Sequence, residues 1–194
     1  MQRYEGWYAT PAGAVNVRKT SGGLRAEVMT RTFRLLPRAD GSLGMQYRLL
    51  GLFPIRIEEL DDVGISRADV AGREILAARM LGREFPIGER MRPVPVPPQW
   101  LGRTGEYEIA NLGGDAALLE KVTLRAEGGF LFVDYSIPLL FPGTMSFAVA
   151  PVSETEAIIR GIGRGMGETV RADPAGGEEM LSYSGYLFRK KRRQ

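Results

Sequence analysis

Along much of this chain apolar side chains fall at every second position, the period of a strand with one buried face. Leu24, Ala26 and Val28 alternate in this way across 24–30, and 32–36 carries the pattern on to Pro37. Strands are predicted again at 45–50, 130–135, 146–149, 156–162 and 180–189, where Leu181 and Tyr183 alternate cleanly and Leu187 less so. The run Phe130-Leu131-Phe132-Val133-Asp134-Tyr135 is built mostly from strong β-formers. Between strands, Pro37-Arg38-Ala39-Asp40-Gly41 reads as a turn, because Asp-Gly supplies the positive φ of a tight reversal. Segment 66–81 supports two drawings. Ser66 can cap an Ala-rich helix. However, Val70-Ala71-Gly72-Arg73 resembles a hairpin reversal, and Gly inside a helix costs about 1 kcal/mol relative to Ala. Two strands joined near Gly72 are preferred.

The pattern repeats. Gly6-Trp7-Tyr8, Val15-Asn16-Val17-Arg18 and Gly22-Gly23-Leu24 recur in the same order as Gly105-Glu106-Tyr107, Val122-Thr123-Leu124-Arg125 and Gly128-Gly129-Phe130. Each half therefore opens with a Gly-x-Tyr strand, followed by a hairpin that turns on Gly-Gly. Between the halves lies Pro93-Val94-Pro95-Val96-Pro97-Pro98, which cannot be helix or central strand because Pro lacks the amide donor. It is read as an extended linker, with Trp100 packing the second half in place.

Composition narrows the chemistry. The chain has 194 residues, 25 of them Gly and 12 Pro, which favours short strands and tight turns. It has no Cys and no His, which removes disulfides, thiol nucleophiles, thiolate or imidazole metal sites and His-containing triads. Carboxylates, Lys and Tyr are what remains, and nothing asks for a cofactor or a metal. The net charge of +3 is concentrated in Lys190-Lys191-Arg192-Arg193, a solvated end without the interleaved aromatics of a nucleic-acid surface. No nucleic-acid partner is expected. Met1-Gln2-Arg3-Tyr4-Glu5-Gly6 has no apolar signal-peptide core, and the most apolar stretch, 130–141, is too short to span a bilayer as a helix.

The motif order resembles a known accessory domain. Gly6-x-Tyr8, the Val-x-Val and Gly-Gly-Leu hairpin and Leu35-Leu36-Pro37 with Asp40-Gly41 come first. Leu50-Gly51-Leu52-Phe53-Pro54 and Gly161-x-Gly163-Arg164-Gly165-Met166-Gly167-Glu168 follow. This order is similar to that of the C-terminal lipocalin-like β-barrel domain of serine β-lactamase-like and penicillin-binding-protein-like hydrolases. The resemblance implies a non-catalytic accessory barrel that packs on a β-lactamase-like catalytic domain, in cis or in trans. Its role would be to gate substrate access or mediate assembly, including homo-oligomers. A periplasmic or other extracytoplasmic site would follow if that hydrolase is secreted. The family's Ser-x-x-Lys nucleophile is missing here. Lys19-Thr20-Ser21-Gly22 only mimics its third element.

Four features carry candidate chemistry. Gly161, Gly163, Gly165 and Gly167 would share one face of a strand, either to let a barrel bend or to open a cavity wall. Met166 stands where a dinucleotide loop would need its third Gly. Arg160 and Arg164 alternate with Ile158, Ile162 and Met166. Facing inward, they would fix an acidic ligand head; facing outward, the preferred reading, they are surface charges. Tyr8 and Tyr107 stand where, by the lipocalin resemblance, an aromatic plugs the barrel base. The acidic run Glu58-Glu59-Leu60-Asp61-Asp62 fits no EF-hand spacing and reads as a solvated turn.

The expectation is an all-β protein: one antiparallel, closed or nearly closed lipocalin-like barrel of eight to ten strands spanning 1–194. Its half-repeats run 4–92 and 100–189 and are joined by 93–98. The alternative function is a free-standing barrel that binds a small apolar or amphipathic ligand through Arg160, Arg164, Tyr8 and Tyr107. A cavity inside would favour it; a filled interior would not.

Overall fold

The protein's computed structural model describes residues 4–29, 31–49, 53–112, 119–138, 141–163, 166–173 and 179–192. In chain order its elements are β1 (Gly6–Thr10), β2 (Gly13–Thr20), β3 (Gly23–Val28), β4 (Arg31–Pro37), β5 (Leu43–Leu49), β6 (Phe53–Ile55), α1 (Glu58–Asp61), β7 (Gly64–Val70), β8 (Arg73–Met80) and β9 (Arg83–Met91). There follow α2 (Pro98–Gly102), β10 (Gly105–Ile109), β11 (Glu120–Glu127), β12 (Phe130–Ile137) and β13 (Phe141–Pro151). The last strands are β14 (Glu156–Ile159), β15 (Thr169–Asp173), β16 (Met180–Tyr183) and β17 (Tyr186–Lys190).

The expected all-β antiparallel closed barrel is present, and so are the two repeated halves. The closure differs from the single ring expected: each half closes by itself. Strands β1-β2-β3-β4-β5-β7-β8-β9 return on themselves through the β1–β9 and β4–β5 pairings, and β6 lies against β5. Strands β10 to β17 form a second ring closed by β10–β17. The chain divides into two compact units, Met1–Arg92 with Gly161–Arg164, and Pro93–Arg160 with Gly165–Gln194. The physical reason lies in the strand count, because unrecognised turns give each half eight strands for its ring, with β6 an extra strand beside β5. Eight is the number whose interior side chains can fill, and a closed ring leaves no edge strand to cap.

Three local readings change for the same reason. The run 180–189 is two strands, because Ser184 (φ 49°) and Gly185 (φ 84°) supply the primed hairpin turn between β16 and β17. That is why Leu187 breaks the alternation: it is exposed, and Phe188 faces the core. The expected strand at 156–162 ends at Ile159. Gly161 and Gly163 have φ of 131° and 114°, so they belong to a bend and share no strand face, and Gly167 follows at 83° in a turn. Gly165 and 50–52 lie outside the described residues. The acidic run becomes the short helix α1, with Asp61 accepting from Arg56 Nε at 2.8 Å. Segment 66–81, in contrast, is the expected hairpin: β7 and β8 meet at Ala71-Gly72. Pro86 inside β9 is tolerated where the β8–β9 register slips, a bulge that asks for no ladder donor.

The repeat extends to atoms. Tyr8 and Tyr107 are almost fully buried. Each donates its hydroxyl to the carbonyl four residues earlier: Tyr8 to Tyr4 O at 3.0 Å and Tyr107 to Arg103 O at 2.6 Å. In each barrel the eighth strand places a cation opposite that tyrosine, Arg90 against Tyr8 and Lys190 against Tyr107. The cation reaches a carbonyl ahead of the first strand: Arg90 donates to Glu5 O at 2.8 Å and Lys190 to Gly102 O at 2.6 Å. A buried phenol without such a partner would cost about 1–3 kcal/mol. Both barrels thus seal their base with one device.

In the second unit the linker is pinned rather than loose. Val94 N–H donates to Gly129 O at 3.0 Å, and Gly129 has no side chain to block Pro93, which would stand 2.9 Å from a Cβ there. Helix α2 then buries Trp100 completely. Its indole N–H donates to Ser153 O at 2.8 Å, and the Arg103 guanidinium lies 5.0 Å from the ring centroid.

Candidate ligand site in the second barrel

The inward positions of the second barrel follow from strand alternation. Leu131 and Val133 on β12 point the same way as Tyr135, and Leu181 on β16 the same way as Tyr183. Val133, Tyr135, Leu181 and Tyr183, with Leu119, Val122, Leu124, Phe147, Ile159, Val170 and Phe188, line an apolar void above Tyr107. Between atom surfaces it measures about 520 Å³, open mouth included, but only about 30 Å³ admits the centre of a water-sized sphere. It is a slot. Small-molecule pockets typically enclose about 300–1,000 Å³, so most of this barrel is filled by its own side chains.

The two ends of the slot differ. At the base, burial holds the Tyr107 phenol far above its ordinary value, helped by the Glu179 charge and opposed by Arg103. Arg103 Nε lies 2.9 Å from Glu179 Oε1. At the opposite rim, near the last residues of β12 and β16, stand Tyr135 and Tyr183. The Tyr135 ring stacks on Phe147 with centroids 5.6 Å apart, and burial raises its phenol. Tyr183 is pushed up to about 12, chiefly by burial, then by the charge of Glu168, to which its hydroxyl also donates a hydrogen bond. Near neutrality both phenols stay protonated. The mouth therefore sets two phenols beside the exposed Glu168 carboxylate, above an apolar interior.

A titration test follows from these shifts. A phenol whose folded value is raised contributes stability that is fully present below its unfolded value of 10.0 and is lost as pH rises toward about 12. The wild type should lose stability across that window. Tyr183→Phe should lose less, as read by denaturant midpoints at a series of alkaline pH values. An identical pH dependence in the two proteins would mean that Tyr183 is not held protonated by its site.

Of the four site residues named from sequence, Tyr107 lines this slot, while Tyr8 seals the base of the first barrel. Tyr8 is also raised by burial, which the Arg90 and Arg67 charges partly offset. Arg160 follows β14 at the position that continues the outward side of Ile158, and Ile159 faces the slot. Its backbone N–H donates to Ala148 O at 2.8 Å. Arg164 lies outside the described residues. Sequence reading missed Tyr135, Tyr183 and Glu168. Alternation was enough to turn both tyrosines inward, but which rim they occupy depends on ring closure.

Compared with known proteins, the chain matches no family, no curated protein and no solved structure.

Proposed function

We propose that this chain is a non-catalytic accessory module of a β-lactamase-like serine hydrolase, two barrels that gate access to, or help assemble, a separate catalytic domain. The observation that carries this reading is the construction of each barrel around its own sealed base. Tyr8 and Tyr107 are committed to backbone carbonyls, and only about 30 Å³ of the slot above Tyr107 admits the centre of a water-sized sphere. Protonated phenols beside a solvent-exposed carboxylate supply no activated nucleophile near neutrality. The motif order from Gly6-x-Tyr8 to Gly167-Glu168 supports the choice of hydrolase class. Lys19-Thr20-Ser21-Gly22 sits at the β2–β3 turn, where Thr20 Oγ1 donates to Gly23 O at 3.0 Å, a turn bond rather than a catalytic one.

A second reading rests on the slot itself: one unbranched apolar chain inserted between Leu124 and Phe147, with a polar head at Tyr135, Tyr183 and Glu168. One set of measurements separates the two. Purified chain should hydrolyse neither chromogenic esters nor β-lactams, and native mass spectrometry should show the bare chain mass. Hydrolysis that follows the chain through purification and is missing from a mock preparation overturns the accessory reading. A retained mass that Tyr183→Phe releases favours the second.

A further inference from the structure

In the first ring every neighbouring pair of strands is antiparallel, so successive turns open at alternate ends. At the base sealed by Tyr8 the turn residues are Ser21-Gly22, Ala39-Asp40-Gly41 and Ala71-Gly72. At the opposite end they are Pro11-Ala12, Met29 and Leu81-Gly82. Among the described turn residues of this barrel, large apolar side chains occur only at this second end. The β8–β9 turn carries the feature furthest. Leu81 has φ of 51° and Gly82 of 71°, the backbone of a primed two-residue hairpin turn, for which Asn-Gly is a favoured sequence. A leucine there carries backbone strain that Asn largely avoids. It also leaves its side chain in water, since Leu81 is 84% exposed, more than any other large apolar residue described. Folding alone gives no reason for such a residue at this position.

Its neighbours extend the patch. The pairs Ala78–Phe85 and Met80–Arg83 put Met80, Arg83 and Phe85 on the side of the hairpin that Ala78 turns into the core. Met80 and Phe85 are nevertheless each 39% exposed. Arg83, also exposed, is the one charged side chain on this side of the tip. The charges on the other side are engaged: Arg79 pairs with Asp40, and Glu84 accepts from Ser66 Oγ at 2.6 Å.

We propose that the β8–β9 tip is a membrane anchor that inserts shallowly into a phospholipid surface, with Met80, Leu81 and Phe85 at the acyl boundary and Arg83 on headgroup phosphates. Three features favour a bilayer over a protein partner. The turn has two residues and its flanks Met80 and Arg83 are paired, so little unpaired backbone enters the apolar layer. An arginine beside apolar side chains can bury its stem and keep its charge at headgroup level. Three apolar side chains on one tip fall far short of the roughly 20–30 residues a side of a stable protein interface, whereas interfacial binding grows with each apolar group inserted. The inference stands whether or not the chain serves a hydrolase.

The probe is a vesicle of phosphatidylcholine with about one quarter phosphatidylglycerol, and binding of the full chain is read by co-sedimentation over a range of lipid concentrations. Wild type should bind. Leu81→Asn should weaken binding about tenfold and melt no lower than wild type, because Asn suits the turn. Phe85→Ser should weaken binding several-fold and Arg83→Gln about fivefold. Val70→Ser, which removes an exposed apolar side chain beside the turn at the base, should leave binding unchanged. Leu81→Trp should add a vesicle-dependent blue shift in emission that wild type, with Trp7 and Trp100, lacks. Absence of vesicle binding, equal loss with Val70→Ser, no added blue shift, lowered melting of Leu81→Asn, or Leu81-dependent self-association in place of vesicle binding would each overturn the proposal.

Discussion

Trp100→Ala is expected to destabilise the second barrel by about 3–5 kcal/mol, the usual cost of truncating a buried large aromatic. The indole is wholly buried, so its removal leaves a void. It also strips Ser153 O of its donor at 2.8 Å and removes the ring under the Arg103 guanidinium. The effect should be confined. By hydrogen-exchange mass spectrometry, amides of β10–β17 should exchange more than about a hundredfold faster and those of β1–β9 at the wild-type rate. Trp100→Phe keeps most of the apolar area and loses only the N–H, so it should recover most of the stability. A loss below about 1 kcal/mol, or one spread evenly through both barrels, would show that α2 does not anchor the second.

Most of the strands were legible in the sequence because they bury one face. The alternation of Leu24, Ala26 and Val28, or of Leu181 and Tyr183, is the direct signature of that burial. The repeat was legible because Gly6-x-Tyr8 and Gly105-x-Tyr107 are demanded by one base geometry used twice. Ring closure was not. Whether β9 pairs with β1 or with a strand of the other half is decided by long-range pairing, which no local pattern encodes. Short strands hid for a related reason: Ser184-Gly185 looks like part of a strand until both residues adopt positive φ.

The rim tyrosines and the cross-strand neighbours Arg18, Arg25 and Arg34 show the limits of the same logic. Alternation predicts which face a side chain takes, but not its height in a closed ring. Tyr135 and Tyr183 could therefore be turned inward without being brought together. Arg18, Arg25 and Arg34 are separated by seven and nine positions and carry no motif in common. They become neighbours only through the β2–β3 and β3–β4 registers. In sequence they are indistinguishable from a general preference for Arg, which supplies all but four of the 26 basic residues.

The base device also sets the second large effect, since its glycines hold conformations that other residues seldom adopt. Gly6 has φ of 137° and Gly105 of 146°, a region essentially restricted to Gly and costing about 1–3 kcal/mol for any other residue. A Cβ at Gly105 would stand 3.0 Å from Lys190 Cε, and one at Gly6 3.2 Å from Arg90 Nε. Both neighbours are flexible, so backbone strain dominates at Gly105, where Lys190 gives up one carbonyl. Arg90 has more to lose. It holds Glu5 O and, at 2.8 Å, Glu74, which also pairs with Arg67. Gly6→Ala should therefore cost more than Gly105→Ala, and each should speed exchange mainly in its own barrel. The two changes share no partner, so the double variant should show additive losses within about 0.5 kcal/mol. If Gly6→Ala proved neutral, the positive φ would not be required, and the base would have to be closed by the tyrosine and arginine alone.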